Sequence, residues 1–167
     1  MAKLTDQRVG VFVDISNLYH SARVVHKKKV NFKNVLSDAV AGRKLIRAIA
    51  YGITTSEATE EKFFDAIEKQ GYDVRKKDLQ VFPDGSKKGD WDVGIAVDIA
   101  KMAPRLDTIV LVSGDGDYLP LVKYVQGAFG CVVEVVAFGE SASVTLIEAA
   151  DGFLDLSSDR KKYLLSR

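Results

Sequence analysis

Four stretches of this chain are apolar almost without interruption and rich in β-branched residues: Arg8-Val-Gly-Val-Phe-Val13, Lys44-Leu-Ile-Arg-Ala-Ile-Ala-Tyr51, Thr108-Ile-Val-Leu-Val112 and Cys131-Val-Val-Glu-Val-Val-Ala-Phe138. Runs of that length without alternation predict strands covered on both faces. Between them the period changes. Phe32, Val35, Leu36, Ala39 and Val40 recur at i, i+3, i+4, i+7 and i+8, the stripe of an amphipathic helix, with Asn31 as N-cap and Gly42 beyond its end. Thr54 to Glu61 gathers hydroxyls and acids in front of a helix through Phe63, Phe64 and Ile67, stopped by Gly71. Trp91 to Met102 is a helix apolar on more than one side, with small residues Gly94, Ala96 and Ala100, predicted to lie between the sheet and another helix. Tyr118 to Val125 is a helix with Pro120 in its first turn, and Ser141 caps a helix containing Val144, Leu146, Ile147 and Ala150. The weaker signals are a short helix from Leu18, a flexible basic loop at His26 to Lys29, an edge strand at Asp73 to Phe82 and a closing strand at Phe153 to Leu156.

Strands alternating with helices predict a three-layer αβα sandwich with a mostly parallel central sheet of five or six strands. At 167 residues and 47% hydrophobic, the chain suits one domain, read over 7–157, followed by a charged tail, 158–167, disordered or a frayed helix. In such a sheet the strand order reverses once, opening a crevice at the carboxyl ends of the strands.

Two strands end on acids. The first runs into Asp14-Ile-Ser-Asn17, and the one at 108–112 into Ser113-Gly-Asp-Gly-Asp117. The candidate constellation is Asp14, Asp92, Asp115 and Asp117, with Asn17 as a neutral partner. If the two strands were neighbours across the reversal, their carboxylates would meet. Carboxylates so gathered repel one another unless a cation neutralises them. A hard divalent ion, Mg²⁺ or Mn²⁺, takes one or two carboxylates directly and holds water for the rest to orient, which suits metal-assisted phosphoryl transfer. The lack of His and Cys ligands argues against zinc. Local roles compete: Asp117, Asp90 or Asp92 could cap a helix, and Asp14 could form a turn. Asp98 lies six residues from Asp92, about 240° around the helix, and suits a structural pairing with Lys101 or a backbone group. There is no Walker A pattern and no Gly-x-Gly-x-x-Gly after the first strand. A haloacid dehalogenase would want Asp where Ser16 stands, and an Asp-x-Ser-x-Ser adhesion site fails at Leu18.

Twenty-four Lys and Arg against 23 Asp and Glu make net charge uninformative, so the clusters carry the question of a polyanion. They are Lys27 to Lys29, Arg75 to Lys77, and Lys87-Lys88, of which Lys88 lies just upstream of Asp92 and is the candidate phosphate contact. Tyr19 and Tyr118 could stack on bases or pack in the core, and Ser113 and Ser141 could orient water or phosphate or cap a helix. The lone Cys131 excludes an internal disulfide and reads as a buried thiol in a reducing compartment. No apolar run reaches the roughly 18 residues of a membrane span, and Met1 to Arg8 lacks a signal-peptide pattern. A cytoplasmic protein without a membrane partner is expected; homo-oligomerisation stays open.

Three motifs, Val11-Phe-Val-Asp-Ile-Ser-Asn-Leu18, Lys88-Gly-Asp-Trp-Asp-Val-Gly-Ile-Ala-Val-Asp98 and Leu111-Val-Ser-Gly-Asp-Gly-Asp-Tyr118, resemble in order and spacing those of the NYN domain, and more narrowly its LabA-like branch within the PIN-like nuclease superfamily. The resemblance implies a PIN-like sheet whose first and fourth strands adjoin. It also implies metal-dependent ribonuclease chemistry on single-stranded or structured RNA. Asp14, Asp92, Asp115 and Asp117 match the acidic metal site, with Asp90 a rival to Asp92, and Asn17 matches the Asn after the first strand. With Asn17, Lys88 and Ser113 as substrate contacts, two functions follow: an Mg²⁺- or Mn²⁺-dependent endoribonuclease, or a catalytically silent RNA- or protein-binding module that keeps the pocket.

Overall fold

In the computed structural model, which describes residues 3–55 and 57–166, the apolar runs become the strands of one parallel sheet. Along the chain the elements are β1 (Arg8–Asp14), α1 (Ile15–Ser21), β2 (Lys29–Val30), α2 (Phe32–Val40), β3 (Lys44–Thr54), α3 (Ala58–Lys69), β4 (Asp73–Asp78), β5 (Gln80–Val81), β6 (Lys87–Lys88), α4 (Asp92–Met102), β7 (Thr108–Val112), α5 (Leu119–Phe129), β8 (Val132–Ala137), α6 (Val144–Ala149), β9 (Gly152–Asp155), α7 (Arg160–Tyr163) and β10 (Leu164–Leu165). The sheet order is β4-β3-β1-β7-β8-β9, parallel throughout. The chain winds outward from β1 through β3 to β4, then returns to the other side of β1 with β7. The reversal therefore falls between the first and fourth strands of the sheet.

Side chains alternate across each strand, so both faces are apolar and each needs a cover. On one face Val9, Val11 and Val13 pack with Val35 and Leu36 of α2 and Phe64 and Ile67 of α3. On the other, Phe12, Ile49 and Leu111 pack with Ile95 and Ile99 of α4 and Val122 and Val125 of α5. Each such side chain contributes roughly 1.5–3 kcal/mol when fully buried. Asn31 caps α2, its side chain accepting from the Asn34 amide at 3.1 Å. A buried ion pair ties the α2–β3 turn to β8: the Arg43 guanidinium, side chain fully buried, meets Glu134 through two hydrogen bonds of 2.8 Å.

Several local expectations are corrected. The strand read as ending at Tyr51 runs on through Gly52 to Thr54; the ring of Phe64 lies so close that a Cβ on Gly52 would come within 2.3 Å of it. The edge strand ends at Asp78, and Gln80–Val81 instead pairs antiparallel with Lys87–Lys88 in a separate hairpin. No hydroxyl caps α3; Glu60 reaches back to the Thr55 amide at 2.9 Å, and Ser56 lies outside the described residues. Helix α4 is not sandwiched: Ile95 and Ile99 are buried, but Val93 and Val97 face solvent at 76% and 50% exposure. The basic loop is not loose either. His26 closes a π-turn and packs on Phe138 at 5.3 Å. The charged tail is folded within its described residues, because β10 pairs with β2, Tyr163 and Leu164 are buried, and the Tyr163 carbonyl accepts from the Asn31 amide at 2.7 Å. Among the described residues no helix is long and apolar enough to cross a membrane.

Candidate metal centre

Pairing of Val13 with Val112 puts the ends of β1 and β7 side by side, so the two acidic turns emerge together at the point of reversal. Asp14 ends β1 and caps α1, with Oδ1 accepting from the Asn17 amide at 3.3 Å. The Asn17 side chain then crosses to the other turn, its Oδ1 accepting from the Gly114 amide at 3.0 Å. Ser113, fully buried, closes a second link: its hydroxyl donates to Asp14 Oδ2 at 3.4 Å and accepts from the Asp115 amide at 3.2 Å. Gly114 has to be small, since a Cβ there would lie 2.9 Å from the Ala142 backbone. Asp115 in turn caps the single 3₁₀ turn Gly116–Tyr118, accepting from the Asp117 amide at 2.9 Å.

The third contributor is the N-terminal turn of α4. Asp92 stands there, its amide donating to Asp90 at 3.1 Å. One carboxylate oxygen each from Asp92, Asp115 and Asp117 lies within 4.8 Å of the others. Asp14 stands outside this triangle and connects to it through Tyr118, whose hydroxyl is 3.1 Å from Asp92 Oδ1 and 3.4 Å from Asp14 Oδ2. A phenol has one proton, so the shorter contact to Asp92 takes it while Ser113 serves Asp14.

The electrostatics follow from burial and crowding. Asp14, only 7% exposed, has its pKa raised to about 6, chiefly by burial; the Asn17 amide opposes the shift, and the charges of Asp92 and Asp115 add to it. Asp92 is raised too, first by burial, against the Tyr118 hydrogen bond and with help from Asp115, Asp90 and Asp117. Burial and these same carboxylates push the Tyr118 phenol far above its ordinary range, so it stays a donor. Among the described residues no Lys, Arg or His nitrogen comes within 4.0 Å of Asp14, Asp92, Asp115 or Asp117. The negative charge has no direct counterion among the described residues. An all-oxygen set no wider than 4.8 Å fits the donor preference of a hard divalent cation.

The remaining sequence candidates separate. Asp98 faces away, accepting from the Tyr51 hydroxyl at 2.8 Å and pairing with Arg75, rather than with Lys101. Asp90 supports Asp92 and is outside the triangle. Asn17 and Ser113 bind the two turns together, and Lys88 sits exposed on β6. Tyr118 is 2% exposed and cannot stack on a base, whereas Tyr19 is 45% exposed with the Arg23 guanidinium 5.7 Å from its ring. Ser141 bonds to Ser21, and Cys131 is a buried free thiol. The role of the Tyr118 hydroxyl was missed because the only sequence signal, an aromatic directly after Asp117, is equally the signal of a core residue.

Comparison with known proteins gives the family. The chain belongs to the NYN domain family, whose model matches residues 8–157, and NYN domains fall among the PIN-like nucleases. Within the family it is LabA-like: it is 28% identical over 162 residues to the low amplitude and bright protein LabA of Synechococcus elongatus, covering 92% of this chain and 86% of that protein. A crystal structure of a protein of unknown function from Vibrio parahaemolyticus superposes with a TM-score of 0.89 at 31% identity, covering 99% of this chain and all of that one.

Proposed function

We propose that this protein is a divalent-metal-dependent endoribonuclease that hydrolyses phosphodiester bonds at the aspartate cluster, with Mg²⁺ or Mn²⁺ as cofactor and RNA as substrate. The supporting observation is the convergence of Asp92, Asp115 and Asp117 within 4.8 Å, with no ion pair to a basic side chain among the described residues. These three carboxylates would hold the metal, with Asp14 behind them. The bound ion supplies an activated water and charge stabilisation at the phosphoryl oxygens. Asp117, the exposed member, is free to orient a water, while Asp92 is held in place by Tyr118. Asn17 and Ser113 keep the β1 and β7 turns in register, so the acids meet without rearrangement.

The test is cleavage of a labelled RNA oligonucleotide with Mg²⁺ or Mn²⁺. EDTA should stop it, and Asp115→Asn or Asp92→Asn should lower the rate about a hundredfold or more, as loss of a charge-stabilising group does. Undiminished cutting by both variants overturns the site. Metal binding without cutting under any divalent ion overturns the enzyme and leaves a regulatory module.

A further inference from the structure

One wall of the crevice is built but unused by the acids. Asp14 is level with Tyr51 of β3, yet β3 runs on to Thr54, paired with Lys76 to Asp78 of β4. Three residues of strand carry that edge roughly 10 Å beyond the acidic floor. The β5–β6 hairpin extends it further, joined by the Leu79 amide donating to the Thr54 carbonyl at 2.9 Å. Between the hairpin and the start of α4 lies a groove of about 350 Å³, lined by Lys77, Gln80, Lys88, Gly89, Asp90 and Val93 with Asp78. Asp90 in its lining receives the Asp92 amide at 3.1 Å, so the groove adjoins the metal centre.

Its walls are tied down by close contacts, and its two lysines, Lys77 and Lys88, share the lining with Asp78 and Asp90. The Trp91 indole N–H donates to the Gly52 carbonyl at 2.8 Å, and Gly89 is pressed so close that a Cβ would meet Leu79 at 2.7 Å and Ile53 at 3.0 Å. Lys77 lies over the Trp91 ring at 4.8 Å, which aims its ammonium along the wall. Among the described residues Lys76, Lys77, Lys87 and Lys88 form no salt bridge. At the tip of the hairpin Phe82 is 44% exposed, with Val81 beside it 64% exposed. An accessible aromatic on the same hairpin as unpaired lysines is the composition of a site for single strands, in which bases stack and phosphates meet ammonium groups.

Resting on the ribonuclease reading, we infer that this groove holds single-stranded RNA to one side of the cleaved bond, with Lys77 and Lys88 on successive phosphates and Phe82 stacked on an unpaired base. A duplex cannot offer that base without unpairing, so the hairpin selects against it.

Binding measured in EDTA, where no chemistry occurs, separates this inference from the nuclease reading. The full chain is titrated into a fluorescent 12-nucleotide single-stranded RNA, a duplex of the same sequence and the matching single-stranded DNA, and anisotropy is followed at several salt concentrations. Phe82→Ala should weaken single-stranded RNA binding about tenfold and leave the duplex unaffected. The pair Lys77→Gln/Lys88→Gln, which removes the charges and keeps a polar end group, should reduce the slope of log affinity against log salt by about 1.4. The pair Lys33→Ala/Lys69→Ala, on exposed positions of α2 and α3 across the sheet, should change affinity less than twofold. All of these residues are exposed, and unchanged thermal unfolding will confirm that the variants fold. The inference is overturned if Phe82→Ala and the Lys77/Lys88 pair bind within twofold of the wild type, if the control pair loses as much, or if single-stranded DNA binds tenfold better than RNA. A protein that binds as described but never cuts overturns the ribonuclease alone.

Discussion

The Tyr118 hydroxyl donates to Asp92 Oδ1 at 3.1 Å although its ring is sealed in the core, so a residue of the turn after β7 sets the charge state of one on α4. Tyr118→Phe should keep the packing and lose about 1–2 kcal/mol of stability with the hydrogen bond. The bond favours the ionised form of Asp92. Without it Asp92 should hold its proton to higher pH. The acid limb of the metal-dependent activity, or of Mn²⁺ binding followed by calorimetry, should move upward; an unmoved limb would show that the hydroxyl is structural only.

Asp14 makes metal-free stability fall as pH rises. Its folded value, about 6, exceeds the ordinary 3.8, so between those values the folded protein holds more proton than the unfolded chain. The contribution is complete below about pH 4 and gone above about pH 6, a loss of roughly 3 kcal/mol at one pH unit per 1.36 kcal/mol. Other acids, such as Asp38 and Asp107, are lowered and act in the opposite sense, so the informative quantity is the difference between wild type and Asp14→Asn. Urea unfolding in EDTA from pH 4 to 7 should show that difference shifting in favour of the variant. A flat difference would mean that Asp14 is not desolvated.

Removing one acid of the triangle should stabilise the metal-free protein. Asp117→Asn relieves repulsion toward Asp92, where Asp117 is one of the charges that raises the pKa. In EDTA the melting temperature should rise slightly. In Mn²⁺ the order should invert, because the wild type gains about 2.7 kcal/mol at a hundredfold excess of metal over its dissociation constant and the variant gains less. Equal metal-induced shifts in the two proteins would remove Asp117 from the site.

Asp98 should matter for folding and not for catalysis. Asp98→Ala strands the buried Tyr51 hydroxyl and frees Arg75, at a cost of about 1–3 kcal/mol. The double variant Tyr51→Phe/Asp98→Ala should cost less than the two singles added, since the polar partner is gone as well. RNA cleavage measured well below the melting temperature should match the wild type; a hundredfold loss would make Asp98 part of the centre.

Much of this was written in local pattern. Continuous apolar runs named the strands, the i, i+3, i+4 stripe at Phe32 to Val40 named α2, and carboxylates at two strand ends marked the crevice, because burial and periodicity are properties of neighbours in sequence. Gly52, Asp78 and the C-terminal segment were misread for the opposite reason. Whether a glycine ends a strand depends on whether a ring such as Phe64 needs the space over it. Likewise, a charged tail docks or frays according to what β2 offers it. The chain by itself determined an alternating α/β domain with acids at the carboxyl ends of β1 and β7. Only the tertiary structure decided that Asp92, Asp115 and Asp117 meet while Asp14 stands behind Tyr118 and Asp98 turns away toward Arg75. Those relations hang on strand order and helix rotation, which place residues dozens of positions apart within a few ångströms and which no window of sequence contains.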